Sequence, residues 1–155
     1  MGLIGQAYHF ILSPLCILVQ RRFRSFMKQD EFVKHVQAFA QLDSREDAQR
    51  AIQATLETLG SRIYGNEAKD LASQLPQEVA QYLQSHEGET GESFSLKDFY
   101  ERVAQKEGVD GATASIHTKA VFAVLVEAVT PGQFSDIRAN LSDDYEELFA
   151  VNRVK

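Results

Sequence analysis

Apolar residues recur at helical spacing through most of the chain from residue 27 onward, and no stretch alternates apolar and polar residues as a half-buried strand does. Four apolar stripes precede residue 85, and four more follow residue 95. The pattern therefore predicts an all-α protein. The stripes of the first set are Phe32, Val36, Phe39 and Ala40; Ala48, Ile52, Thr55, Leu56, Leu59 and Ile63; Leu71 and Leu75; and Val79, Tyr82 and Leu83.

The second set of stripes follows the first at a nearly constant offset, which shortens by a single position between the first stripe and the other three. Such a period indicates a repeated structural unit. We predict a single compact helical bundle of about eight helices, built from two fused four-helix repeats at 27–84 and 96–150 with a linker at 85–95. The matching stripes are Phe99 and Val103; Ala114, Thr118, Val121, Phe122, Leu125 and Val129; Ile137 and Leu141; and Tyr145, Leu148 and Phe149.

Polar residues and glycines at the ends of the stripes agree with this division. Side-chain oxygens of Ser, Asp and Thr cap helix starts, and glycine ends helices in the left-handed conformation. The predicted starts are at Asp43 or Ser44, at Ser95, at Asp110 and at Ser142, and the predicted glycine ends are at Gly65 and Gly108.

The stripe at 114–129 differs from its counterpart because Ala123, Val124 and Val126 stand where the first repeat has Glu57, Thr58 and Gly60. A helix that is apolar nearly all round is usually buried on every side. Two interpretations follow: a central helix of one fused bundle, or a helix whose extra face meets a partner or a second copy of the chain. The second makes four residues a candidate contact surface: Val121, Phe122, Val124 and Val126.

Residues 1–26 form an apolar and basic extension with three arginines and no acid. Three interpretations stay open: translation from an upstream start codon with the natural chain beginning at Met27, an extra helix running from Leu15 through Arg24 into Phe32, or a peripheral membrane anchor. The candidate contact or anchor residues are Leu15, Ile17, Leu18, Arg21, Arg22 and Phe23.

The charge of the remaining chain argues against nucleic acid as a partner. Residues 27–155 carry 13 basic and 22 acidic residues, a net charge of −9, which repels phosphate backbones. The single cysteine, Cys16, excludes an internal disulfide and is typical of a reducing compartment. We therefore predict a cytoplasmic protein, with a membrane-peripheral location if residues 1–26 act as an anchor.

Residues with catalytic or metal-binding chemistry do not form a recognisable constellation. None of the four histidines has a second ligand at a metal-binding spacing. An enzyme would need Asp70, Asp136 or His117 to converge in one cleft. We predict no catalytic residues, no metal, no cofactor and no enzymatic activity.

Four segments together resemble the bacterial family called domain of unknown function 2267: "DEFVKHV", "ATLETLGSRIYGNEAKDLASQLPQEVAQYL", "FSLKDFYERVAQKEGV" and "AVFAVLVEAVTPGQFSDIRANLSDDYEELF". The resemblance covers about residues 27–150, and the segment from Ala54 to Leu83 is its most specific part. Ser142 stands where the pattern leads us to expect a proline. The resemblance implies an all-helical fold and a prokaryotic cytosolic origin, and it implies no activity.

The leading functional prediction is a non-catalytic protein-interaction or regulatory module that binds a protein partner or a second copy of itself. One alternative is a helical bundle that holds a small apolar ligand or lipid between the repeats, in a cavity lined by Leu56, Leu59, Phe122 and Leu125. The other is a membrane-peripheral protein anchored by residues 1–26.

Overall fold

Eight α-helices and one short 3-10 helix make up the computed structural model, which describes residues 27–63, 65–84 and 91–150. No strand occurs in these three ranges. The all-α prediction is confirmed. The helices are α1 Gln29–Ala40, α2 Arg45–Arg62, α3 Gly65–Ala72, α4 Gln77–Gln84, α5 Leu96–Glu107, α6 Gly111–Ala128, α7 Pro131–Asn140, the 3-10 helix Asp143–Tyr145 and α8 Glu146–Ala150.

The helix bounds follow the spacing of the apolar stripes. Helices α1 and α5 each have 12 residues, and helices α2 and α6 each have 18 residues. We call residues 27–84 the first half and residues 96–150 the second half. Positions are called equivalent when they match in the alignment that pairs the start of α1 with the start of α5 and the start of α2 with the start of α6. That the halves arose as copies of one unit stays a prediction.

Helices α1 and α5 each pack across the boundary between the halves. Helix α1 packs on α2 of its own half and on α6 of the other, while α5 packs on α6 and on α2. Helices α2 and α6 also pack on each other. Almost every residue of the predicted stripes is buried in the resulting core, which is continuous through both halves. Phe39 is the main exception and is described below.

Side-chain caps explain where three of these helices begin. The Ser44 hydroxyl accepts from the Asp47 N–H, the Ser95 hydroxyl from the Asp98 N–H, and the Asp110 carboxylate from the Thr113 N–H. Each bond satisfies an N–H that has no partner within its helix. These three predicted starts are confirmed.

One other predicted helix end is wrong, and one is right in position only. Helix α2 ends just before Ile63, which has extended backbone, and Gly65 begins the next helix. Ser142 does precede a helix, the 3-10 helix Asp143–Tyr145, but its hydroxyl makes no capping hydrogen bond there and donates to the Asp144 carboxylate. Gly108, in contrast, has the predicted left-handed backbone, with φ 80°.

The predicted continuous helix from Leu15 into Phe32 is also wrong at its described end. Lys28 has extended backbone, with φ −82° and ψ 158°, and α1 begins at Gln29. The Lys28 N–H donates to the Glu31 carboxylate at 3.3 Å, and this hydrogen bond helps to define the start of α1 in the absence of a capping serine.

Segment 91–95 fastens the second half to the end of α2. The Glu92 N–H donates to the Ser61 carbonyl at 2.9 Å. Gly91 lies so close to the α2 backbone that a Cβ there would come within 2.8 Å of the Arg62 carbonyl oxygen. Only glycine fits this approach without a shift of the backbone.

Arg62 is a buried cation at this junction. Its Nε donates to the Phe94 carbonyl at 3.1 Å, and its guanidinium also donates to the Asn140 carbonyl at 3.4 Å. The guanidinium carbon lies 5.1 Å from the centroid of the Tyr145 ring, within cation–π range. The Tyr145 hydroxyl donates to the same Phe94 carbonyl at 2.8 Å. These contacts join α2, segment 91–95 and the region from the end of α7 to the 3-10 helix.

Candidate functional site

The predicted contact surface on α6 is part of the core. Val121, Phe122 and Val124 are fully buried, and Val126 is partly buried. Helices α1, α2 and α5 all pack on α6, and ten of its 18 residues are buried. The partner-surface interpretation of these residues is therefore wrong, and the central-helix interpretation is confirmed.

The residues predicted to line an apolar ligand cavity are tightly enclosed as well. Leu56, Leu59, Phe122 and Leu125 are each at most 1% exposed and belong to the same core cluster. An open groove of about 460 Å3 lies elsewhere, between Met27–Asp30 and Leu75–Glu78, and none of these four core residues lines it.

The N-terminal candidates lie outside the described residues. These are Leu15, Ile17, Leu18, Arg21, Arg22 and Phe23. Their predicted contact or anchor role stays a prediction.

Asp70 and Asp136 occupy equivalent positions, and both are exposed. The pKa of Glu67 is raised by its partial burial and by the negative charges of Asp136 and Asp70, so the three carboxylates lie near one another. They do not form a metal site: among the residues that the structure describes, no group of three or more His, Cys, Asp or Glu is placed to hold a metal ion.

His117 is buried and pairs with Glu107 instead of with either aspartate. The residues are 6% and 9% exposed, and the His117 Nδ1 contacts one oxygen of the Glu107 carboxylate. The second oxygen, Oε1, is buried without a hydrogen-bond partner. Equivalent positions in the first half hold Ala40 and Ala51. The second half therefore buries an ionisable pair where the first half has two methyl groups.

Phe39 and Ile116 are the large hydrophobic side chains that the described part of the chain exposes. Their exposed fractions are 50% and 55%. The prediction that Phe39 belongs to the buried stripe of α1 is wrong, because this side chain points away from the core cluster. Sequence reasoning missed both residues as a surface feature.

Equivalent positions show how unusual these two residues are within this chain. The position equivalent to Phe39 is Lys106, whose Nζ lies 3.4 Å from the Glu57 carboxylate. The position equivalent to Ile116 is Arg50, which pairs with Asp47. Alignment of the two halves would have shown that each exposed apolar residue replaces a solvated cation.

Phe39 and Ile116 lie on two helices that pack on each other, α1 and α6. Residues Glu127, Ala123, Ala120 and Ile116 follow one another at three- or four-residue spacing and so share one side of α6. His35, one turn before Phe39, lies 3.0 Å from the Glu127 carboxylate. The equivalent pair of Phe39 and Ala123 is Lys106 and Glu57, which are in contact. From this equivalence we expect Phe39 to lie next to Ala123, on the side of α6 that Ile116 shares. We call Phe39 and Ile116 the apolar face.

No single helix among the described residues is both long and apolar enough to cross a bilayer. Helices α5 and α6 reach the required length and composition only as a pair, with a bend of 98° between them.

Comparisons with known proteins place this fold in a family. No curated protein matches the chain. The family described as uncharacterized conserved protein (DUF2267) matches residues 29–148, from the first residue of α1 into α8. This match covers both halves and includes the apolar face and the buried Glu107–His117 pair. The chain therefore belongs to the DUF2267 family of uncharacterized conserved proteins.

Proposed function

We propose that this protein is a non-catalytic interaction module that binds a protein partner through the apolar face. The observation that supports the proposal is the exposure of Phe39 and Ile116 at positions where the other half carries ion-paired cations. When a partner removes half-exposed Phe and Ile side chains from water, the free energy of binding becomes more favourable by about 25 cal/mol per Å2 of apolar area buried. Burial of solvated lysine and arginine side chains does not favour binding in this way.

The charge of the body suggests the chemistry of the partner surface. Residues 27–155 carry a net charge of −9, so a partner with basic residues around an apolar contact would associate faster than an acidic one. The proposal assigns the module to a prokaryotic cytoplasm. The family resemblance supports the prokaryotic origin, and the single cysteine, typical of a reducing compartment, supports the cytoplasm.

Site-specific photo-crosslinking in cells tests the proposal with controls from the same molecule. A photoreactive phenylalanine analogue is placed at Phe39 or Ile116, and at Lys106 or Arg50 as matched controls. We expect a discrete crosslinked protein at the first two positions and none at the controls. The same products at all four positions, or no product at Phe39 and Ile116, would contradict the proposal.

Surface substitutions separate binding from folding. Phe39→Lys and Ile116→Arg install the residues of the equivalent positions, and because both sites are exposed they should change the free energy of unfolding by no more than about 0.5 kcal/mol. The double variant should lose the partner in a pulldown while its melting temperature stays close to that of the parent. Retention of the partner would remove the apolar face as its binding site.

A further inference from the structure

Glu127 places an exposed carboxylate beside the apolar face. Its Oε1 lies 3.0 Å from the Nδ1 of His35, and the rings of His35 and Phe39 are 6.5 Å apart. The side chains of His35 and Glu127 are both 45% exposed. His35 contacts one oxygen of this carboxylate, and no described residue donates to the other, so Oε2 can accept from a cation of a partner.

The contact points follow one another along α6 in a fixed order. Glu127 is one turn from Ala123, and Ala123 is two turns from Ile116, all on one side of the helix. At a rise of about 1.5 Å per residue, Phe39, at the level of Ala123, lies about 10.5 Å from Ile116 measured along α6. Glu127 lies about 6 Å beyond Phe39, on the side away from Ile116. The order is therefore carboxylate, phenylalanine, isoleucine.

This spacing matches one side of an α-helix. Two helical residues seven positions apart share a side and lie about 10.5 Å from each other, and a residue four positions outside that pair lies about 6 Å further on. Residues on one side of a β-strand repeat about every 6.6 Å, which gives about 6.6 or 13 Å and not 10.5 Å. A helix that runs along α6 can therefore meet Phe39 and Ile116 together, whereas a strand in that direction cannot.

The charges near the apolar face favour a cation at the outer position. Lys119, one turn after Ile116, lies 3.3 Å from the carboxylate of Glu147 and is already paired. Among the described residues, His35 is the partner of Glu127, and the body of the protein is acidic as well. A lysine or arginine of the partner would therefore be attracted to Glu127, and an acidic residue would be repelled.

We propose that the segment bound by the apolar face is a basic amphipathic α-helix of the partner. It carries two large apolar residues seven positions apart and a lysine or arginine four positions outside that pair. The cation pairs with Glu127, the apolar residue nearer to it packs on Phe39, and the other packs on Ile116. This inference rests on the function proposed above and adds the chemistry of the partner.

Designed peptides test the pattern by nuclear magnetic resonance titration of the full chain. The matched probe is an alanine-rich helix of about 18 residues with two leucines seven positions apart and a lysine four positions before the first. In the control peptide the second leucine is moved two positions on, to the other side of the helix. We expect the matched peptide to bind at least about tenfold more tightly and to shift the amide signals of Phe39, Ile116 and Glu127. Equal affinities, or no binding of either peptide, would overturn the inference.

Charge reversal at Glu127 tests the third contact. Glu127→Lys should weaken binding of the matched peptide about fivefold, and a peptide with glutamate in place of its lysine should recover that loss. Glu101→Lys, at an exposed glutamate of α5, is the matched control and should change the affinity for either peptide by less than about twofold. An equal loss in the two variants, or no recovery with the glutamate peptide, would contradict the pairing of Glu127 with a cation.

Two further outcomes separate this inference from the proposed function. If crosslinking in cells captures a partner at Phe39 and Ile116 but the peptides fail, the interaction module stands and its helical partner does not. If sedimentation of the protein alone shows a dimer that Phe39→Lys dissociates, the apolar face binds a second copy and the basic helix is excluded as its occupant.

Discussion

Gln41 and Gly108 end the first helix of each half with left-handed backbone, at φ 54° and 80°. They occupy equivalent positions, so the two corners differ mainly in the side chain. Glycine adopts this conformation without the steric conflict between Cβ and the backbone that other residues meet. One corner therefore carries strain that the other avoids.

We expect Gln41→Gly to raise the free energy of unfolding by about 1 kcal/mol, which corresponds to roughly 2–4 °C in melting temperature for a chain of this size. Gly108→Ala should lower it by a similar amount. A Cβ at Gly108 would meet no atom within 4 Å, so this loss would come from the backbone alone. Thermal unfolding of both variants measures these two changes in stability. A stabilised Gly108→Ala variant would contradict the account.

Thr55 and Thr58 are fully buried neighbours on α2 that differ in their hydrogen bonds. The Thr58 hydroxyl donates to the Ala54 carbonyl at 2.8 Å, whereas the Thr55 hydroxyl has no partner. The second half has valine at both equivalent positions, Val121 and Val124. A buried hydroxyl without a partner costs about 1–3 kcal/mol, so its removal at constant shape should help.

Thr55→Val should therefore stabilise the protein by about 1 kcal/mol, and Thr58→Val should destabilise it by about the same amount. Chemical denaturation measures both changes in the free energy of unfolding. The comparison holds when the slope of this free energy against denaturant concentration is the same in the variants and the parent. If both substitutions stabilise the protein, the hydrogen bond from Thr58 to the Ala54 carbonyl makes no net contribution to stability.

At the scale of elements, the Glu107–His117 pair joins the C-terminal end of α5 to the N-terminal part of α6. Burial of two ionisable groups is costly, and replacement of such a pair by apolar residues is often neutral or stabilising. Removal of one partner is different, because it leaves the other polar side chain buried without its hydrogen-bond partner. The first half joins its equivalent helices with Ala40 and Ala51, so the contact between such helices does not require the pair.

A double-mutant cycle tests this asymmetry. Glu107→Met or His117→Leu alone should each cost about 3–5 kcal/mol, while the double variant should lie within about 1 kcal/mol of the parent. Denaturant unfolding gives the four free energies. If the two single losses simply add in the double variant, the pair is not coupled and the interpretation fails.

At the scale of the whole molecule, the contacts of Arg62 with Asn140 and Tyr145 join the end of α7 and the 3-10 helix to the first half. Burial raises the pKa of Tyr145 to about 12, while Arg62 opposes the shift by favouring the tyrosinate. A tyrosine with a raised pKa in the folded state stabilises the fold below its unfolded pKa of about 10. That contribution is lost as the pH rises through the folded value.

We therefore expect stability to fall as the pH rises from 10 to about 12. Tyr145→Phe keeps the ring against Phe99 and should make this fall shallower. Part of the fall should persist in the variant, because partial burial and the Glu147 carboxylate also raise the pKa of Tyr100. Urea unfolding at several alkaline pH values measures both slopes. Identical slopes would exclude Tyr145 as a contributor.

The pattern of apolar residues was enough to predict the helices, because a continuous core requires a buried face on each of them. Phe39 shows the limit, since spacing places a residue on one side of a helix without revealing where that side meets solvent. Glu107 and His117 show another, because their pairing depends on how α5 and α6 cross. The burial and hydrogen bonds of Arg62 could not be predicted from the spacing of apolar residues, since its acceptors lie at least 32 residues away along the chain.

The reciprocal packing of α1 on α6 and of α5 on α2 has a consequence for assembly. Each half lends a helix to the other, as two subunits do in a domain-swapped dimer. A chain cut within 85–90 should therefore reassemble from its two fragments when they are coexpressed, while each fragment alone should lack cooperative unfolding. Copurification and circular dichroism would show this, and an isolated fragment that folds as a monomer would contradict it. The two halves thus pack on each other as the subunits of a domain-swapped dimer do, although one backbone carries both.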